Sequence, residues 1–242
     1  MTDLQRSYDR APADPRPITF ERGFLDHVPG SVIASFGKTR VLCTAVVNEG
    51  VPPFLKGKGQ GWLTAEYSML PASTNSRKPR DRAGKTDGRS VEIQRLIGRS
   101  LRAVVDLKLL GERTLWVDCD VLQADGGTRT TAISGAWVAM HDLLAKLDDQ
   151  RMLRAWPLKT HLGAISVGVV DDQVVCDLDY KEDSRAQVDF NVVMTGEGEF
   201  VEVQGTGEDG TFSRTQLEGL LESAEGGIRR IFDAQKEALG LP

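Results

Sequence analysis

The sequence predicts one mixed domain, α/β or α+β, in which β-hairpins run into helices twice along 242 residues. Three observations support this. Short runs rich in β-branched residues recur between Gly, Pro and Asp turn signals in both halves. Longer stretches at residues 90–107, 131–147 and 213–232 repeat their apolar residues at helical spacing instead. No low-complexity linker divides the chain into two domains, and because each half runs from β-hairpins into helices the halves resemble a loose internal duplication, although no clear sequence repeat relates them.

Taken in order, residues 31–37 and 39–47 read as strands on either side of a hairpin turn at Gly37-Lys38. Residues 51–61 form a Pro/Gly loop, and residues 61–70 return as a strand. Residues 71–88 lack apolar periodicity and are expected to be an exposed loop. The helix at 90–107 takes Ser90 as N-cap with Glu92 in its first turn. Ile93, Leu96, Ile97, Leu101, Val104 and Val105 supply its apolar face, and Arg95, Arg99 and Arg102 a basic stripe. Residues 114–122 alternate as a strand and lead to the helix at 131–147. In the second half, 163–170 and 174–179 flank a turn at Asp171-Asp172-Gln173, and 187–195 and 200–207 flank one at residues 196–199. The last helix begins with a capping box, Ser213 with Gln216, and a staple between Phe212 and Leu217.

Composition narrows the function classes. No run approaches the roughly 18 apolar residues of a membrane span, and the polar N-terminus has no secretory h-region. Cys43, Cys119 and Cys176 are an odd, scattered set in strand-like runs, which predicts buried thiols and a cytoplasmic location. The net charge is −5, yet residues 77–102 hold nine Lys or Arg against three Asp or Glu. Such a segment is either a localised polyanion site or a solvated loop. His27, His141 and His161 with the three cysteines lack zinc spacing. There is no GxSxG. AGKT at 83–86 fails as a P-loop because Pro79 stands where a glycine is required.

Two constellations remain. The first is GGTR, residues 126–129, set between a strand and a helix. Glycines there allow close backbone approach, and a hydroxyl and a guanidinium at a helix start favour an anion. The alternative is a plain Asp-Gly turn with Arg129 in water. The second is acidic. Asp118 and Asp120 alternate on the strand before GGTR and read as an exposed face. Asp183, in a turn, and Asp189, in the next strand, either converge on one Mg²⁺ or serve as turn and backbone partners. A basic loop, an anion seat and a carboxylate pair together describe phosphoryl transfer on a polyanion.

The blocks at 30–45, 54–71, 88–107, 118–130, 175–184 and 191–206 closely resemble the bacterial ribonuclease PH family, over about residues 16–239. The resemblance implies the α+β RNase PH fold, duplicated β-α units similar to domain 2 of ribosomal protein S5. It implies one domain over residues 1–242, with flexibility expected in 1–15, and a homo-hexameric ring, a trimer of dimers. It also implies a phosphate-dependent 3′ exoribonuclease trimming precursor tRNA, and ribosomal RNA ends as well, with release of nucleoside diphosphates. The family pattern carries phosphate binding to Arg89, Gly127, Thr128 and Arg129. It carries the Mg²⁺ site and catalytic carboxylates to Asp183 and Asp189, and RNA guidance to Arg77 and Arg80. One departure is visible: Ala72 stands where the family often has arginine, which leaves the loop's RNA contacts open. A non-catalytic RNA-binding ring subunit is the alternative, although inactive relatives tend to lose the arginines or aspartates kept here. A hydrolytic nuclease would release monophosphates instead.

Overall fold

The computed structural model describes residues 6–80, 87–208 and 210–242. Strands β1 (Ile18–Arg22), β2 (Gly30–Phe36) and β3 (Thr39–Glu49) form an antiparallel meander, with Gly37 at φ 57 in the predicted hairpin turn. Strand β4 (Trp62–Met69) is followed by α1 (Gly88–Ala103), the one-turn α2 (Leu107–Leu110) and β5 (Arg113–Gln123). The order in this sheet is β1-β2-β3-β5-β4, and β4 runs parallel to β5. A parallel return needs a long crossover. The basic loop and α1 provide it, so the loop leaves β4 at one end of the sheet.

The second half opens with α3 (Thr128–Asp149), then β6 (Leu162–Val170), β7 (Gln173–Cys176), the one-turn α4 (Tyr180–Asp183), β8 (Val188–Thr195), β9 (Phe200–Gly207) and α5 (Arg214–Leu239). These strands make an antiparallel sheet ordered β7-β6-β8-β9. Helix α3 packs against β2 and β3 on one side and β6 on the other. Between Thr130 and Met140 every side chain of α3 is buried, as expected for a helix with no strongly polar face. One apolar cluster runs from Phe20 of β1 through α3 to Ile231 of α5. Among the described residues no helix is long and apolar enough to cross a membrane.

Several boundaries differ from expectation. Helix α1 is capped by Asp87, whose carboxylate accepts from Arg89 N, and Ser90 is buried one turn further in. The helix ends at Ala103 rather than 107, because Val105 bridges to Leu158 and Asp106 caps α2. Strand β7 stops at Cys176, where Asp177 turns the chain at φ 55. Asp179 then caps α4, so Asp183 ends a short helix instead of lying in an open turn. Asp118 and Asp120 are half-buried, not exposed; burial and then the Glu66 charge hold both carboxyls above the ordinary range. The Ser213–Gln216 capping box forms as expected. Cys43 and Cys119 face each other across β3 and β5, and all three thiols are free and buried. Of residues 1–15, 1–5 lie outside the described residues, while Arg6 and Arg10 are anchored on Glu182 at 2.6 and 2.8 Å. The AGKT stretch, residues 83–86, lies outside the described residues.

Candidate active site

Strand β5 ends at Gln123, and after four intervening residues the chain is already helical. Gly126 at φ 78 and Gly127 at φ 64 make that reversal in the left-handed region. A methyl group on Gly126 would meet the Leu178 carbonyl oxygen at 2.5 Å, so this turn lies flush on the segment leading to α4. Gly127 is the N-cap of α3 and offers no side chain to its first N–H groups. Those N–H groups have no carbonyl one turn back, so the helix start is left open to an acceptor.

Thr128 is buried, and Tyr67 Oη of β4 donates to its hydroxyl at 2.9 Å. Burial, only partly countered by that bond, pushes the Tyr67 phenol up, so it stays a donor. Arg129 projects from the first turn of α3, where Nη1 donates to Glu92 Oε1 of α1 at 3.1 Å and to Gln204 Oε1 of β9 at 2.8 Å. Arg89, in the first turn of α1, is exposed, and its guanidinium has no partner among the described residues. Lys78 pairs with the α1 cap, Asp87, at 2.7 Å, tying the basic loop to the start of α1. Arg77 and Arg80 flank that anchor and are exposed.

Asp183 closes α4, and Asp189 stands on β8 opposite Gly168 and Thr206. Asn191 Nδ2 donates to Asp189 at 3.4 Å, and neither carboxylate has an ion pair among the described residues. Burial raises the Asp183 carboxyl, opposed by the Arg89 and Arg129 charges. Burial and then the Asp183 charge raise Asp189, against the same two arginines. The two cations and the two carboxylates are therefore within electrostatic reach of one another. Among the described residues no group of three or more His, Cys, Asp or Glu could hold a metal ion. A two-carboxylate donor set suits Mg²⁺, which keeps waters and takes phosphate oxygens, better than zinc or calcium.

The structure thus brings together Arg89, Gly127, Thr128, Arg129, Asp183 and Asp189, from α1, α3, α4 and β8. It gives Arg77 and Arg80 a place on the loop beside α1, with no hydrogen bond or ion pair to the other six among the described residues. The basic stripe of α1 is partly engaged elsewhere. Arg99 pairs with Glu202, while Arg102 donates to the Leu63 carbonyl at 2.9 Å and lies over Trp62. Sequence reasoning missed Tyr67, and it missed the buried Arg16, which bonds Asp177 and the GGTR turn. Tyr67 alternates inward on a strand like any core residue, and Arg16 sits in a Pro-rich segment with no periodicity.

Residues 14–145 match domain 1 of the 3′ exoribonuclease family RNase_PH, and residues 162–227 match its domain 2. The ribonuclease PH of Bacillus subtilis (strain 168) is 57% identical over 227 residues, 93% of this chain and 93% of that protein. Rice (Oryza sativa) Rrp46 superposes with a TM-score of 0.78 at 21% identity, over 97% of this chain and 100% of its own. A chain of the Archaeoglobus fulgidus exosome, solved with RNA bound to its active site, gives 0.80 at 18% identity, over 96% and 92%. At these identities the two structures speak for the fold.

Proposed function

The chain belongs to the ribonuclease PH family, a phosphate-dependent 3′ exoribonuclease of tRNA processing, and from this premise we propose how its own residues carry the reaction. Arg89, Gly127, Thr128 and Arg129 seat inorganic phosphate, the nucleophile. Asp183 and Asp189 are the catalytic carboxylates and hold Mg²⁺, and Arg77 and Arg80 guide the RNA 3′ end. The observation that carries the reading is that two arginines and two carboxylates lie within electrostatic reach of one another beside a helix start without a side-chain cap.

Phosphate and the RNA phosphodiester repel, so the attacking anion must be held in line with its target. Planar guanidinium forks suit that task, because each presents parallel donors to two oxygens. Arg89 is unpaired among the described residues, and Arg129 is held by one exposed carboxylate and one amide, which an incoming dianion displaces. The N–H groups of the first α3 turn add donors that need no reorganisation. Tyr67 fixes the Thr128 hydroxyl. When bound, Mg²⁺ supplies charge stabilisation at the scissile phosphate and the departing 3′ oxygen. Asp183 and Asp189 hold that cation only when deprotonated, so binding must overcome their raised proton affinity. The products are a nucleoside 5′-diphosphate and RNA one residue shorter with a free 3′ hydroxyl; a phosphodiester is broken and a phosphoanhydride formed, which keeps much of the bond's free energy and makes the step reversible.

The working assembly is a homo-hexamer of single-domain subunits, supported by the family's ring architecture, and the reducing cytoplasm suits three buried free thiols. Product analysis on a 3′-extended tRNA precursor with Mg²⁺, with and without phosphate, tests the reaction. Diphosphates appearing only with phosphate are expected. Monophosphates without phosphate would make water the attacking group, and bound but uncut RNA would indicate a scaffold subunit.

A further inference from the structure

We infer that Arg16 is a positioning residue that clamps the GGTR turn onto the segment carrying Asp183, and thereby sets the separation between attacking phosphate and scissile RNA. This rests on the phosphate-seat reading above. Arg16 is 1% exposed. Its Nε and Nη2 grip Asp177 at 2.8 and 2.7 Å, and its backbone N–H donates to the same carboxylate at 2.8 Å. The remaining nitrogen, Nη1, donates to the Asp125 carbonyl, and Nη2 lies 3.5 Å from the Gly126 carbonyl. Thr39 closes the clamp from the other side: its hydroxyl donates to Gly126 O at 2.6 Å and accepts from Asp125 N at 2.9 Å. Both carbonyls immediately before the phosphate-seat residues are thus held by groups with no place in the chemistry.

The other end of the clamp is equally fixed. Asp177 sits at φ 55, with its N–H bonded to Ser166 O at 2.7 Å and its carbonyl accepting from Arg10 at 2.8 Å. Two residues on, Asp179 caps the helix that ends at Asp183. Burial alone would raise the Asp177 carboxyl, but the Arg16 charge and its hydrogen bonds hold it low, so the pair stays ionised. A buried ion pair is a weak source of stability. What this one does supply is a rigid link, through one planar fork, between the nucleophile's seat and a carboxylate of the proposed metal site. Lysine carries the same charge but lacks the fork and could not serve both ends.

The test compares Arg16→Lys, Thr39→Val and Arg129→Ala for KM of phosphate, kcat and RNA affinity measured without phosphate. Arg16→Lys is expected to raise KM for phosphate, because the displaced turn loses donors to the anion, and to lower kcat by up to about a hundredfold, as misplacement of a reactant by about 1 Å does. RNA affinity should hold, and Thr39→Val should shift KM in the same direction by less. A merely structural role would instead lower kcat with the folded fraction and leave KM in place. If Arg129→Ala raises KM while Arg16→Lys and Thr39→Val, both folded, leave it unchanged, the clamp is refuted and the seat survives. If Arg129→Ala itself leaves KM unchanged, the seat fails and the clamp with it. Should Arg16→Lys not fold, Thr39→Val decides alone.

Discussion

At the scale of single residues, the site is held in an unfavourable state while no ligand is bound. Burial raises Asp189, and Asp183 beside it raises it further. An acid whose native pKa lies above its unfolded value favours folding only while protonated. That contribution is fully present below the ordinary carboxylate range and is lost as pH rises through the raised native value. Asp189→Asn removes the penalty. Without divalent ions the variant should melt above the parent at neutral pH, and the gap should close as pH falls below the ordinary carboxylate range. Thermal melts across pH 3 to 8 would check this, and a variant less stable at pH 7 would contradict it. With Mg²⁺ and phosphate present, the same variant should lose turnover while keeping RNA affinity, as read by single-turnover kinetics and binding.

Among the elements, the strand-to-helix junction of β5 and α3 decides most. Gly126→Ala places a methyl 2.5 Å from the Leu178 carbonyl in a left-handed conformation. The conformation alone costs about 1–2 kcal/mol, and relief of the clash should push the GGTR turn off the α4 segment. A lower Tm together with a raised KM for phosphate is expected; a drop in Tm alone would mean that the turn tolerates displacement. This junction was legible in the sequence because it is local: alternation, two glycines and a helical run stand within a few residues. The capping box of α5 was legible for the same reason. The parallel pairing of β4 with β5 was not, since nothing in either strand states its neighbour. Nor was the Arg16–Asp177 pair, whose partners are far apart in the chain and marked by no period. Asp87 displaced Ser90 as the α1 cap because two capping residues competed within four positions, and only Asp87 is also held by Lys78. The pairing of Arg129 with Glu92 and Gln204 depends on α1 and β9 meeting at α3, which is a product of topology.

For the molecule as a whole, charge is divided rather than balanced. An acidic chain carries a basic segment between β4 and α1, with Arg77 and Arg80 exposed in it. If both contact backbone phosphates, Arg77→Ala with Arg80→Ala should weaken RNA binding across sequences. It should also flatten log K against log salt by about 1.4 units for single-stranded RNA. Fluorescence titrations over a range of salt would measure it, and an unchanged slope would remove these two residues from the RNA path. The three thiols lie in the shared interior, at 0%, 1% and 0% exposure for Cys43, Cys119 and Cys176. Burial pushes the Cys176 thiol up to about 12, and the Cys43 contact together with burial raises Cys119. All three sulfurs are buried, so no reagent should reach them while the chain stays folded. Each labelling event would then count one opening of the core, and a maleimide added to the native enzyme becomes a clock for its unfolding, slowed by any compound that occupies the site.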